Sequence, residues 1–125
     1  VGLKGDLGAG KTTLVRYLVE ELGGSAGHVA SPSFTLQNEY VVGSGRRVEH
    51  WDLYRLREAP EELAEPPTQE TLRVIEWPER APLLLHELQL VLEITAGEQN
   101  ERIVQYSGPQ ASQVQGAVES EFLGE

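Results

Sequence analysis

Cysteine and methionine are both absent from this chain. Without thiols there is no disulfide and no thiolate-held metal, and the composition fits a reducing compartment, so the cytoplasm is the expected location. Without methionine there is no initiator residue. The chain opens on Val1 inside an apolar "VGLK" stretch, and the native N-terminus is expected to be missing. No apolar run approaches the roughly 20 residues that a membrane helix needs, and no signal peptide is visible. Positive charge is scarce too: 10 Lys and Arg stand against 20 Asp and Glu, a net charge of −10. The deficit is uneven. Residues 1–57 carry seven basic and six acidic side chains, whereas residues 58–125 carry three and fourteen. An acidic half of this kind repels a nucleic-acid backbone and argues against tight, direct binding of RNA or DNA. Two readings of the acidity remain: a solvated surface that keeps the protein soluble, or a face for a basic protein partner.

With 125 residues the chain is long enough for one domain that buries roughly two thirds of its unfolded surface. Residues 1–107 hold the alternating apolar patterns, and 108–125 form a small, polar C-terminal tail. "TTLVRYLVEEL" sets Leu14, Leu18 and Leu22 four apart with Val15 and Val19 beside them, which predicts an amphipathic helix stopped by Gly23 and Gly24. "SPSFTLQNEYVV" and "RRVEHWDLYRL" are β-rich runs joined by "GSG", a hairpin with Arg46 and Arg47 near its tip. "APEELAE" reads as a short helix, "TLRVIEW" as a strand closed by Pro78, and "ERAPLLLHEL" as a helical turn. "LQLVLEITAG" and "ERIVQYS" predict a terminal hairpin. Strands interleaved with helices give an α/β layered domain.

The chemistry is concentrated in Gly5-Asp6-Leu7-Gly8-Ala9-Gly10-Lys11-Thr12, which fits G-x-x-x-x-G-K-[ST] between a strand and a helix. Glycines let successive backbone N–H groups turn inward on oxygen atoms, and the helix adds the positive end of its dipole. Lys11 is placed to reach the β- and γ-phosphates, and the Thr12 hydroxyl to ligate Mg²⁺. A merely structural glycine turn is disfavoured, because a lysine at a helix N-terminus opposes the dipole unless an anion is bound. Phosphate-loop proteins span several functions. No N-K-x-D base motif and no "LSGGQ"-like signature occurs, and an arginine-bearing kinase lid would have to come from Arg46-Arg47 or scattered single arginines. ATP hydrolysis is therefore favoured by elimination. Hydrolysis needs carboxylates near the metal. Glu76, at the end of "LRVIEW", stands where a Walker-B acid sits, and Asp52 lies in "HWDLYRL". The structural alternatives are a surface acid at a strand end for Glu76 and an ion pair with Arg55 for Asp52.

Three motif groups, "GDLGAGKTTLVRYL", "SPSFTLQNEY" followed by "HWDLYRL", and "VIEWPE", resemble the bacterial TsaE (YjeE) family in order and near-family spacing across about residues 1–107. The resemblance implies a P-loop NTPase-like three-layer α/β fold with a largely parallel central sheet plus β-hairpins. It implies an ATPase needed for N6-threonylcarbamoyladenosine at position 37 of tRNA, with ATP and Mg²⁺ as cofactors. The expected partner is the TsaB–TsaD complex, of which TsaD is the transferase; tRNA would be met only indirectly, and the isolated chain is expected to be monomeric. Carried over by position, Gly8, Ala9, Gly10, Lys11, Thr12 and Thr13 bind phosphates with Leu7 flanking them. Thr12 and Glu76 hold Mg²⁺, and Asp52 is the catalytic carboxylate. Trp77 lies by the nucleotide or, alternatively, in the core. Ser33 stands where the family usually has threonine and keeps a hydroxyl for the γ-phosphate or the metal. His50 and Tyr54 are read as structural supports, and Arg55 as an anchor for Asp52 or a partner contact. A small-molecule kinase and a non-catalytic, nucleotide-dependent interaction module are the alternative functions.

Overall fold

Among the described residues, six strands join in one sheet, in the order β2 (Gln37–Val41), β3 (Arg47–Asp52), β4 (Thr71–Glu76), β1 (Gly2–Lys4), β5 (Val91–Ala96) and β6 (Arg102–Ser107). The computed structural model describes residues 1–25, 27, 29–30, 32 and 36–113. In chain order the elements are β1 (Gly2–Lys4), α1 (Lys11–Glu21), β2 (Gln37–Val41), β3 (Arg47–Asp52), β4 (Thr71–Glu76), α2 (Pro82–Leu85), β5 (Val91–Ala96) and β6 (Arg102–Ser107). The four inner strands β3, β4, β1 and β5 run parallel. The outer strands β2 and β6 are antiparallel additions, each folded back on its neighbour by the expected hairpin. The fold is thus mixed α/β, as the sequence pattern implies, with the mostly parallel sheet that the family resemblance implies.

Period-two alternation decides which side chains meet which layer. On one face Leu3, Val48 and Val74 pack with Val15 and Val19 of α1 and with Val29, Tyr40 and Val42. On the other, Trp51 and Ile75 pack with Leu53, Leu63 and Ala81. The helix buries its valines rather than its leucines: Val15 and Val19 are fully buried, while Leu14, Leu18 and Leu22 are half-buried flanks. Short β-branched side chains let the helix approach the sheet closely, and burying each contributes about 1.5–3 kcal/mol. The stop at Gly23-Gly24 forms as the sequence predicts. Gly23 takes φ 94°, its N–H donates to Glu20 O, and that of Gly24 donates to Val19 O.

The second face is covered thinly. Among the described residues it receives the four-residue α2 and short 3₁₀ turns, and the short helix expected in "APEELAE" is one of these, of 3₁₀ type at Glu61–Ala64. Pro60 before it and the proline pair after it leave too little chain for a lasting i→i−4 ladder. The sheet ends at Ser107, after which Gln110 N–H donates to Gln89 O. Among the described residues no helix is long and apolar enough to cross a membrane.

Candidate functional site

The loop from Gly5 to Gly10 leaves the carboxyl end of β1 and feeds directly into α1. Its three glycines all take left-handed φ values, 152° at Gly5, 79° at Gly8 and 112° at Gly10. Gly10 caps α1 without a side-chain hydrogen bond, and no acidic residue occupies the first turn. A helix N-terminus ordinarily recruits such groups to satisfy its free N–H donors. Without either, the N–H donors and the positive end of the dipole make this helix start suited to an anion.

Lys11, the first residue of that helix, is almost wholly buried. Its ammonium donates to Gly5 O and, at 3.0 Å, to Asp6 O. It also lies 4.3 Å from the centroid of the Trp77 ring. Burial holds it below the ordinary lysine value of 10.5, against Glu76, Asp52, Glu79 and Asp6, which all favour its charge.

The two candidate acids come from neighbouring strands and stand side by side. Asp52 ends β3, Glu76 ends β4, and the two are register partners. Both are about 95 % or more buried, with 5 % and 3 % exposure. Like charges so placed repel unless a cation lies between or beside them, and the Lys11 ammonium, whose charge both acids favour, is one such cation. Glu76 Oε2 accepts from Thr12 Oγ1 at 3.1 Å and from His50 Nε2 at 2.5 Å. Asp52 is oriented locally, its Oδ1 accepting the Tyr54 N–H at 3.0 Å in an Asx turn. Thr12 and Glu76 together offer a hydroxyl and a carboxylate oxygen. That is a hard but incomplete donor set, suited to Mg²⁺, which keeps waters and takes further oxygens from phosphates.

A cleft of about 250 Å³ opens between Leu7, Gly8, Gly10, Lys11, Thr12 and Thr13 on one side and Asp52, Tyr54, Glu76 and Trp77 on the other. This is below the size that encloses a whole drug-like ligand. Past Leu7, Gly8 and Trp77 it borders a second cleft of about 580 Å³ that includes Ala9, Glu79 and the end of β5. Of the residues expected at the site, all but two line the first cleft. Ala9 faces the second, and Ser33 lies outside the described residues.

Trp77 lines the cleft and also packs on the core of the second face. It does so in a left-handed conformation, φ 61° and ψ 49°, rare for a bulky side chain and costing about 1–3 kcal/mol. The turn swings the indole back over the loop, where it meets Tyr54 at 4.8 Å between ring centroids. Tyr54, read from sequence as a support, is therefore a cleft residue. Arg102, unremarked in the sequence, reaches from β6 to donate to Ala9 O at 3.1 Å. Arg46 and Arg47, the possible lid, follow the hairpin turn Gly43–Gly45 at the end of β3 opposite Asp52.

The family model described as "Threonylcarbamoyl adenosine biosynthesis protein TsaE" matches residues 1–104. Among curated relatives, the tRNA threonylcarbamoyladenosine biosynthesis protein TsaE of Haemophilus influenzae is 40% identical over 99 residues, covering 75% of this chain and 61% of its own. The protein of the same name from Synechocystis is 43% identical over 89 residues, 66% of this chain and 55% of its own. That from Aquifex aeolicus is 38% identical over 103 residues, with 82% and 71% covered. The chain thus spans about three fifths of the length of the first two. The crystal structure of Bacillus subtilis YdiB superposes with a TM-score of 0.64 at 25% identity, covering 96% of this chain and 76% of the other.

Proposed function

This chain belongs to the TsaE family, and from that premise we propose that it is an ATP hydrolase acting in the formation of N6-threonylcarbamoyladenosine on tRNA. The observation that carries the reading is the meeting of Thr12 Oγ1 with Glu76 Oε2 at 3.1 Å, beside Asp52, at the head of a helix that begins with Lys11. The first cleft takes the phosphates and the second the nucleoside. Gly8, Gly10, Thr13 and the flanking Leu7 surround the phosphates through backbone donors, and Ala9 supports the loop from behind. Lys11 exchanges the Gly5 and Asp6 carbonyls for phosphate oxygens. Thr12 and Glu76 hold Mg²⁺, which supplies charge neutralisation on the phosphates when bound. Asp52 orients the attacking water, Trp77 covers Lys11 and excludes solvent, and Ser33 contributes a hydroxyl toward the γ-phosphate or the metal.

The protein partner in this reading is the TsaB–TsaD pair, with TsaD carrying out the transfer and the whole assembly working in the cytoplasm. The acidic second half of the chain supports it, since a subunit that leaves tRNA to its partners needs no basic groove. Residues 1–107 constitute the ATPase domain and 108–125 a tail.

The test is reconstitution. ATP turnover and tRNA modification are measured with the natural full-length protein, with and without TsaB–TsaD. Turnover is expected to rise in their presence, and Asp52→Ala or Glu76→Ala to abolish it. Equal turnover with and without the pair would end the partner-dependent reading. Full tRNA modification by both variants would leave a nucleotide-sensing module in place of an enzyme, and a phosphorylated small-molecule product would point to a kinase.

A further inference from the structure

His50 is wholly buried in the middle of β3, yet its ring nitrogens face polar partners on both sides. Nε2 lies 2.5 Å from Glu76 Oε2, and Nδ1 lies 3.3 Å from the Tyr40 hydroxyl. That hydroxyl in turn is 3.2 Å from Ala30 O, which Asn38 Nδ2 also approaches at 3.2 Å. Buried packing alone would be served by a leucine or phenylalanine, with no desolvated imidazole to satisfy. The row also has a regular geometry. Tyr40 pairs with Val48, two residues before His50, and His50 pairs with Val74, two residues before Glu76. Each side chain therefore steps one strand across and one same-face position up, the diagonal that long and aromatic side chains can span. The row ends on Thr12 of α1.

We propose that His50 is a positioning residue for the metal-binding carboxylate. It rests on the nucleotide reading above and extends it. A carboxylate oxygen only accepts, so the proton between His50 and Glu76 belongs to Nε2, and the imidazole's direction is set at its other nitrogen by Tyr40. With Oε2 held by His50 and by Thr12, the Glu76 rotamer is fixed before any metal arrives. The conformational cost of ordering a glutamate side chain is then met in folding, not in binding. Nδ1 then accepts the single proton of the Tyr40 hydroxyl, and the tie from this row to the backbone that precedes β2 is the Ala30 N–H, which donates to the Tyr40 oxygen at 3.4 Å. His50 touches neither phosphate nor metal. It acts through Glu76.

The experiment compares His50→Leu, His50→Gln and Tyr40→Phe with the unaltered chain. Affinity for a non-hydrolysable ATP analogue is measured without divalent metal, and Mn²⁺ affinity of the analogue-bound protein by electron paramagnetic resonance. His50→Leu is expected to weaken Mn²⁺ by about 10–100-fold, the usual effect of removing a hydrogen-bond partner from a metal ligand, with analogue affinity changed by less than about threefold. Gln can present an N–H near the imidazole Nε2, so His50→Gln should recover most of the loss. Tyr40→Phe deletes only a hydroxyl, should weaken Mn²⁺ by a few-fold, and carries the test if His50→Leu fails to fold. Unchanged Mn²⁺ affinity in the folded variants overturns the proposal. So does equal loss of analogue and Mn²⁺, which would mean general collapse of the site. If the unaltered chain bound no analogue, the nucleotide reading itself would fall, and this assignment with it.

Discussion

Two glycines of the phosphate loop should fail in opposite ways when given a methyl group. At Gly5 an added Cβ would come within 2.7 Å of Ile94 O and 3.2 Å of the Ala9 Cβ, at φ 152°. The obstructing atom is backbone of β5, a strand paired with β1 on one side and β6 on the other, so it cannot turn aside as a side chain would. Backbone strain of about 1–3 kcal/mol and overpacking of about 1–3 kcal/mol add to a loss of roughly 2–6 kcal/mol for Gly5→Ala. At Gly8, φ is 79° and nothing lies within 4 Å of an added Cβ. Only the conformational cost applies, about 1–2 kcal/mol. Gly8 lines the first cleft, however, so its methyl would stand where phosphate oxygens are to approach. Gly5→Ala should therefore be the more destabilised protein and Gly8→Ala the worse ATP binder relative to its stability. Urea denaturation at matched slope gives the first quantity and titration with an ATP analogue the second. Were Gly8→Ala as destabilised as Gly5→Ala, the steric reasoning would be refuted; were it to keep full affinity, the assignment of that cleft to phosphate would be.

Further expectations follow from the same contacts. Lys11→Met should abolish measurable ATP affinity, and it should also alter the alkaline stability profile. Because the Lys11 pKa is lowered on folding, the unfolded chain holds more protons between that lowered value and 10.5. This group thus makes the folded state more favourable as pH rises through the window, and denaturation of Lys11→Met should show a flatter dependence there. Tyr54→Ala removes the ring contact at 4.8 Å with Trp77 and should cost about 0.5–1.5 kcal/mol beyond lost burial, visible in thermal unfolding. Arg102→Gln loses an exposed tether to Ala9 O. Stability should change by no more than about 1 kcal/mol, with ATP affinity falling only several-fold in equilibrium titration.

How legible this molecule was depends on whether a feature is local in the chain. The phosphate loop is continuous, its glycines and lysine at fixed offsets, and the pattern alone places it between β1 and α1. The hairpins are similarly local, each made of two β-rich runs around a turn. Sheet order is less local: the long crossover of residues 53–70 lets β3 and β4 pair in parallel, and that pairing brings Asp52 and Glu76 to the same end of adjacent strands. What sequence reasoning underrated lies across the strands. The alternation Val48, His50, Asp52 puts the histidine on the face of the expected catalytic acid, and that was a usable signal. Its contact with Glu76, though, depends on the β3–β4 register, which no single run of residues encodes. Arg102 is 93 positions from Ala9 and carries no pattern at all.

Trp77 is the instructive exception, because there the local rule points the wrong way. A residue before proline is steered toward extended backbone, and "EWP" would accordingly continue β4 outward. Instead the chain turns left-handed at Trp77, and the Trp77 N–H donates to Leu3 O at 3.1 Å. The turn ends β4 at Glu76 and brings the indole over Lys11. An extended Trp77 would leave the buried ammonium without its aromatic face and the cleft without one wall. The strain is therefore offset where it is incurred, by the Leu3 hydrogen bond, the Tyr54 contact and the cation–π contact together. A glycine at position 77 would relieve the backbone and lose the other two. Trp77→Gly should consequently bind ATP less well while losing less stability than the about 3–5 kcal/mol expected for truncating a well-packed tryptophan. A full-sized stability loss in urea denaturation would show that the left-handed turn costs the folded chain little and that packing, not strain, governs this corner.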